Sequence, residues 1–228
     1  MGVALVTGAN RGIGFETARQ LVERGHTVYL GARDGTRGDA AASAIGAHLV
    51  QFDVTDDESV TRALGRIAEA ETRLDILINN AGIQEFDPVD GALALRAFDT
   101  NAVGVVRVTE AALPLLRASA TPTVVTVSSS AGSFWAVTNA DRPEYHLTNA
   151  VYAASKAAAT MVTLQYAKAH PHMRINAIEP GYTATDMTAE LHGGRPVADS
   201  ARAVVELATL GADGPTGTLR DETGQLPW

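Results

Sequence analysis

Tyr152 and Lys156 stand four positions apart in Tyr152-Ala153-Ala154-Ser155-Lys156. On a helix that spacing puts both side chains on one face, within reach of a shared ligand. A phenol has an ordinary pKa of about 10, so making it an acid/base near neutrality takes about 4 kcal/mol of differential stabilisation of the phenolate. Neighbouring positive charge supplies that stabilisation. The chain has sixteen Arg and only two Lys, at positions 156 and 168, so a lysine here is not background composition. Tyr145 heads a competing frame, but Asn149 stands where its lysine would be.

Thr7-Gly8-Ala9-Asn10-Arg11-Gly12-Ile13-Gly14 lies between a short apolar run and a helical segment. A helix N-terminus offers free backbone N–H groups and the positive end of a dipole, which suits a pyrophosphate. Glycines there permit a tight turn and close approach of the backbone to phosphate; a turn with no ligand is the competing explanation. The spacing is three residues then one, unlike the common G-x-G-x-x-G pattern. Ser128-Ser129-Ser130-Ala131-Gly132, Asn79-Asn80-Ala81-Gly82 and Pro180-Gly181 also follow apolar runs. All four motifs fall at carboxyl ends of predicted strands, the edge where an open α/β sheet binds ligands. The three serines could equally form a polar turn.

The elements that must position these residues alternate. Six short apolar runs, at 3–6, 26–30, 48–52, 74–78, 123–127 and 174–178, read as strands buried on both faces. Segments near 12–24, 36–46, 57–70, 91–118, 152–169 and 196–210 carry helical spacing, and the third opens on a capping-box pattern, Thr55 with Glu58. Asp34 reads as a helix cap. The tail TGTLRDETGQLPW adds an edge strand, and 132–149 is the one long irregular stretch, where Pro143 argues against a continuous helix. The pattern predicts an α/β fold, a doubly wound parallel sheet of Rossmann type with helices on both faces, forming one domain over 1–228.

Composition narrows the function classes. With 228 residues, 46% hydrophobic and 19% charged, the chain can bury a sizeable core. A net charge of −8 opposes nucleic-acid and anionic-membrane partners. The absence of Cys removes thiolate nucleophiles and makes a reducing compartment the default. No apolar run reaches the length of a membrane span, and the opening MGVALVTGANRGIG has no charged n-region, so a cytoplasmic protein is expected. His170 and His172 flank Pro171 with no carboxylate motif beside them and read as turn residues; no metal is expected.

The ordered set TGANRGIG, NNAG, YxxxK and PG resembles the short-chain dehydrogenase/reductase family, in its carbonyl-reductase-like branch, over residues 3 to 187. The resemblance implies that Tyr152 donates or accepts a carbonyl proton, while Lys156 lowers its pKa and hydrogen-bonds a nicotinamide ribose. It implies that Ser129, with Ser128 as runner-up, hydrogen-bonds the substrate oxygen. Asn101, in Phe98-Asp99-Thr100-Asn101-Ala102, would hold a proton-relay water; a mid-helix Asn disturbing its own backbone is the alternative. The implied cofactor contacts are Gly8, Asn10, Arg11, Gly12, Ile13 and Gly14 in the loop, Asp53 and Val54 at the adenine, and Asn80, Ala81 and Gly82 after the fourth strand. Tyr152, Lys156, Pro180 and Gly181 complete them.

The second strand ends with Ala32 where an NAD enzyme usually places a carboxylate, and Arg33 follows. Arg11 and Arg37 would complete a cationic pocket, which predicts NADP(H). Ser129 and Tyr152 are 23 positions apart, a longer interval than in many relatives, and Phe134, Trp135, Tyr145 and His146 are expected in a flap beside the site. In related carbonyl reductases a longer insertion here covers a subunit interface, so a homo-oligomer and a monomer both stay open. The short segment Tyr182 to Pro196 suggests an open site accepting varied carbonyls. The expected activity is NADP(H)-dependent transfer of a hydride between nicotinamide and a small carbonyl or secondary alcohol. A cofactor-bound regulatory protein without turnover, or an epimerase or dehydratase on the same scaffold, are the alternatives.

Overall fold

The computed structural model describes residues 1–84, 89–188 and 193–228. Strands β1 (Val3–Val6), β2 (Thr27–Ala32), β3 (His48–Gln51), β4 (Ile76–Asn79), β5 (Thr123–Val127), β6 (Arg174–Ile178), β7 (Leu219–Asp221) and β8 (Gly224–Gln225) form one sheet. Their order is β3-β2-β1-β4-β5-β6-β7-β8. Every pairing is parallel except the β7–β8 hairpin, so the tail contributes two strands where one was expected.

Alternate side chains leave opposite faces of a strand, and here each face has its own core. Leu5, Leu77, Val124 and Ile175 pack with Val60, Leu64 and Ile67 of α3 (Asp57–Ala70) and with Val108 and Leu116 of α5 (Gly104–Arg117). On the other face, Val6, Leu30, Ile78 and Val127 pack with Leu21 of α1 (Gly12–Glu23) and with Val204 and Val205 of α8 (Val197–Ala208). Ala42 of α2 (Gly35–Ile45) joins this second core. Parallel register brings the carboxyl ends of neighbouring strands level: Val6 lies opposite Ile78, Asn79 opposite Thr126, and Val127 opposite Ile178. The four motif-bearing turns therefore leave the sheet at one edge.

Several boundaries differ from the sequence reading for identifiable reasons. The helical run 91–118 is divided into α4 (Gly91–Phe98), a π-helical turn at Asp99–Val103 that carries Asn101, and α5. Gly104 packs so closely on Val54 that an added Cβ would lie 3.1 Å from its side chain. Helix α3 is capped by Asp56, which accepts the Ser59 N–H at 2.9 Å, and not by Thr55. Thr55 is already engaged by Asp53, whose Oδ1 accepts both its N–H and its hydroxyl. Asp34 caps α2 as expected, accepting the Arg37 N–H. The irregular stretch contains α6 (Phe134–Thr138) and a 3-10 turn at Pro143–His146, with Pro143 at its start. α7 (Ala150–Ala169) begins two residues earlier than expected because Asn149 accepts the Tyr152 N–H as its cap. Among the described residues, no helix is long and apolar enough to cross a membrane.

Candidate active site

The sheet reverses direction of winding between β1 and β4, and the turns that follow these two strands are laced together. Thr7 Oγ1 accepts the N–H groups of Asn80 and Ala81 at 3.0 and 2.9 Å. Asn80 Nδ2 donates to the carbonyls of Thr7 and Gly8 at 2.9 and 3.2 Å. Two glycines make this closeness possible. Gly8, at φ +62°, would put a Cβ 2.8 Å from Ala81 Cα, and Gly14 would put one 2.3 Å from Asn80 Nδ2. A crevice at such a reversal is where open α/β sheets bind dinucleotides.

A cavity of about 1370 Å³ opens here. One wall is formed by Gly8, Asn10, Arg11, Gly12, Ile13, Gly14, Arg33, Asp53, Val54, Asn80, Ala81 and Gly82. The other holds Ser129, Tyr152, Lys156, Pro180 and Gly181, with residues of the 142–149 segment and of the β7–β8 hairpin. Most of the residues singled out from the sequence thus share one cavity.

The reactive wall is built on α7. Lys156 is 5% exposed and donates from Nζ to the Val127 carbonyl at 2.8 Å. Its Nζ lies 5.7 Å from the centre of the Tyr152 ring. Gly132 lets the turn after β5 close on α7, since a Cβ there would lie 2.6 Å from the Ala157 nitrogen. That closure separates the three serines into different roles. Ser128 is buried and bonds the Lys156 carbonyl at 3.2 Å and the Thr160 hydroxyl at 2.6 Å, tying β5 to α7. Ser130 hydrogen-bonds the Glu144 carboxylate. Ser129 bonds the Tyr152 hydroxyl and pulls its pKa down.

Two expected residues are not on the cavity wall. Arg37 does not line the cavity; it sits in the first turn of α2 with its guanidinium 3.6 Å from Asp34. Asn101 is buried and also absent from the cavity wall. Its Oδ1 accepts the Ile83 N–H at 2.8 Å, and its Nδ2 donates to the Ile83 carbonyl and the Ser155 hydroxyl, each at 2.9 Å. Its side chain fixes the turn after β4 against α7. Arg33 does face the cavity, with an 82% exposed side chain and its guanidinium 3.8 Å from Asp53. Arg11 reaches across to Asp186 at 2.9 Å. The segment after Gly181 lines the cavity through Thr188, and 189–192 lie outside the described residues.

The electrostatics differ from the sequence expectation in sign. Burial pushes the Tyr152 phenol up to about 12, with Glu179 adding to the rise and Ser129 opposing it. Lys156 is pulled down to about 8 by burial, against which Glu179 acts. Removing water outweighs the Ser129 hydrogen bond, so these side chains alone do not lower the phenol pKa. Sequence reasoning also missed Glu179, Glu144, Arg142 and Asp221 on the cavity wall. The position of Glu179 immediately before Pro180-Gly181 was a usable signal; the other three come close only through the fold.

A largely parallel sheet with a glycine loop at its point of reversal defines a Rossmann-type α/β protein. The chain belongs to the short chain dehydrogenase family, whose model matches residues 2–195. It is 33% identical to (-)-isopiperitenone reductase of Mentha piperita over 94% of this chain and 94% of that protein. It is 30% identical to salutaridine reductase of Papaver bracteatum over 97% and 94% of the two chains. Among solved structures, the NADPH-bound carbonyl reductase from chicken fatty liver superposes with a TM-score of 0.90 at 25% identity, covering 100% of this chain and 99% of that one. Salutaridine reductase from Papaver somniferum gives 0.85 at 28% identity, covering 96% and 99%. The family is one of oxidoreductases, reductases and dehydrogenases that act on carbonyl or alcohol groups.

Proposed function

We propose that this protein is an NADP(H)-dependent oxidoreductase that reduces a small carbonyl compound, or oxidises the matching secondary alcohol, with Tyr152 as general acid/base. The observation that carries the reading is the convergence of Ser129, Tyr152 and Lys156 on the cavity that the glycine loop also lines. The residues present fit a dinucleotide: Gly8, Gly12 and Gly14 keep side chains out of the cradle at the start of α1. Arg33, exposed beside buried Ala32, offers a guanidinium to a 2′-phosphate where no carboxylate of β2 opposes it. The neighbour solved with NADPH supports the same choice.

When bound, the nicotinamide supplies or accepts the hydride. The protein's part is positional and electrostatic. Ser129 donates a hydrogen bond to the substrate oxygen and stabilises negative charge as it develops there. Tyr152, with its pKa near 12, stays protonated through the neutral range and hands its proton to that oxygen. An alkoxide is more basic than a phenolate, so the transfer runs downhill. The unliganded electrostatics therefore suit reduction; oxidation needs the phenolate and extra positive charge beside it. Lys156 would hold the ribose, and Asn101 acts as a positioning residue through Ile83 and Ser155.

Substrate breadth follows from the lining. The alignment with (-)-isopiperitenone reductase runs over 297 positions, more than the 228 residues of this chain, so the relative has residues that this chain lacks. The cavity of about 1370 Å³ exceeds the usual range of ligand pockets and should accept several carbonyls beside the cofactor. Screening NADPH oxidation over ketones, aldehydes and quinones, with Tyr152→Phe as control, tests the reading. Turnover with several substrates and a loss of about 10²–10⁴-fold in the variant are expected. A variant as active as the wild type, or nucleotide binding with no turnover on any carbonyl, would favour the regulatory alternative instead. Equal catalytic efficiency with NADH and NADPH would remove the cofactor assignment.

A further inference from the structure

The carboxylates on the cavity wall are occupied, with one exception. Arg142 binds Glu144 through two hydrogen bonds of 3.0 Å, and Arg195 binds Glu222 at 2.6 Å. Arg11 pairs with Asp186, Arg33 faces Asp53, and Asp221 accepts the N–H groups of Thr223 and Gly224 in its own turn. Glu179 is different. Among the described residues its carboxylate accepts one hydrogen bond, from the Gly181 N–H at 2.9 Å, and no cation forms an ion pair with it. Its backbone is pinned to β7, donating to the Arg220 carbonyl at 2.7 Å. Buried charge is retained in proteins where it is paired or hydrogen-bonded, and Lys156 is a buried ammonium with three donors and one carbonyl partner.

We propose that Glu179 is a positioning residue of the proton-transfer step: anchored on Gly181 at the cavity wall, its carboxylate keeps the enclosed Lys156 ammonium charged. This rests on the reductase reading of Tyr152 and Lys156. Lys156 is hydrogen-bonded to the carbonyl of Val127, Val127 pairs with Ile178, and Glu179 follows Ile178 at once. The carboxylate and the ammonium therefore sit at adjoining strand ends on the wall of one cavity, with Tyr152, Glu144, Arg142 and Asp221 lining it too. Burial, Glu144 and Asp221 all raise the Glu179 pKa, while Gly181 and Arg142 lower it. Glu179 in turn raises the pKa of both Lys156 and Tyr152. Both members of the Glu179–Lys156 couple are therefore charged only between the raised pKa of the acid and a value near 8 for the amine. Within that window Lys156 is positively charged and Tyr152 is protonated, the state that reduction requires.

The composition makes this directly measurable, because the chain has two lysines and Lys168 is exposed. In protein labelled with 13C at lysine Cε, two signals titrate, and Lys168 serves as the internal control. Glu179→Gln keeps an acceptor for the Gly181 N–H and removes the charge. It should lower the Lys156 midpoint by about one pH unit and leave Lys168 where it is. Glu179→Asp should restore part of the difference. The alkaline limb of kcat/KM for NADPH-linked reduction should move down with the Lys156 midpoint. An unchanged Lys156 midpoint in Glu179→Gln, or the same change in Glu179→Asp as in Glu179→Gln, would mean that Glu179 only anchors the turn and would overturn the proposal. A lowered midpoint in a protein that turns over no carbonyl would uphold the Glu179–Lys156 coupling and sink the reductase reading alone. If Glu179→Gln does not fold, Asp221→Asn reaches the same couple from its acid side. Less repulsion should move the acid limb of reduction to lower pH, and a limb that stays in place would count against the proposal.

Discussion

The two walls of the cavity are made in different ways. The nucleotide wall is chiefly backbone: Gly8 and Gly14 leave no room for a Cβ against the neighbouring turn, Gly12 takes a φ of +58°, and Thr7 and Asn80 lock two turns together with short bonds. The reactive wall is chiefly side chain, assembled from α7, the turn after β5, the end of β6 and the C-terminal hairpin. The first tolerates little change in shape, because an added Cβ collides at Gly8 and Gly14 and is disfavoured by the positive φ at Gly12. The second depends on charge and protonation state, which respond to every neighbour. A binding surface can thus be specified by steric rules over a few residues, whereas a reacting one needs an electrostatic environment drawn from the whole edge of the sheet.

Substitutions that touch one wall at a time sharpen this contrast. Tyr152→Phe should have the largest effect, lowering kcat/KM by about 10²–10⁴-fold while NADPH affinity, read by fluorescence titration, stays near wild type. A parallel loss of affinity would mean that the walls are not separable. Ser129→Ala removes the donor to the substrate oxygen and should cost about 10²-fold in kcat. Ser128→Ala at the neighbouring position is the comparison: its hydroxyl ties β5 to α7, so its effect should appear in thermal unfolding before it appears in KM. Arg33→Ala acts on the nucleotide wall alone. It should raise the KM for NADPH about tenfold, leave that for NADH unchanged, and spare kcat. Asp56→Ala should have the smallest effect, a loss of about 1 kcal/mol of stability at the α3 cap with neither wall altered. A change in activity there would show that the cavity responds to distant fraying.

The two walls also differ in how far they could be read in advance. All six predicted strands match observed ones within two residues at either end, and the glycine loop lies where its spacing put it. The largest offsets are two residues, at the end of β2 and the start of β4. The Thr55–Glu58 cap was misplaced because two adjacent polar residues both fit a local rule, and only the Asp53 carboxylate, already holding Thr55, selects Asp56. Arg37 was grouped with Arg33 by nearness in sequence, yet the turn of α2 carries its side chain to Asp34. Asn101 was legible as an oddity within a helical run, and its three side-chain hydrogen bonds and the π-helical turn around it give that oddity a structural cause.

By itself the amino-acid order determined what depends on short separations along the chain: strands and helices from their periodicity, a phosphate-sized turn from its glycines, and a phenol and an ammonium on one helical face. The tertiary structure decided which of three adjacent serines faces that phenol, brought Glu144, Glu179 and Asp221 to the same cavity, and set the direction in which the Tyr152 and Lys156 pKa values move. Those outcomes come from desolvation and long-range charge, which sum over groups distant in sequence and take a sign only once the chain has closed around them.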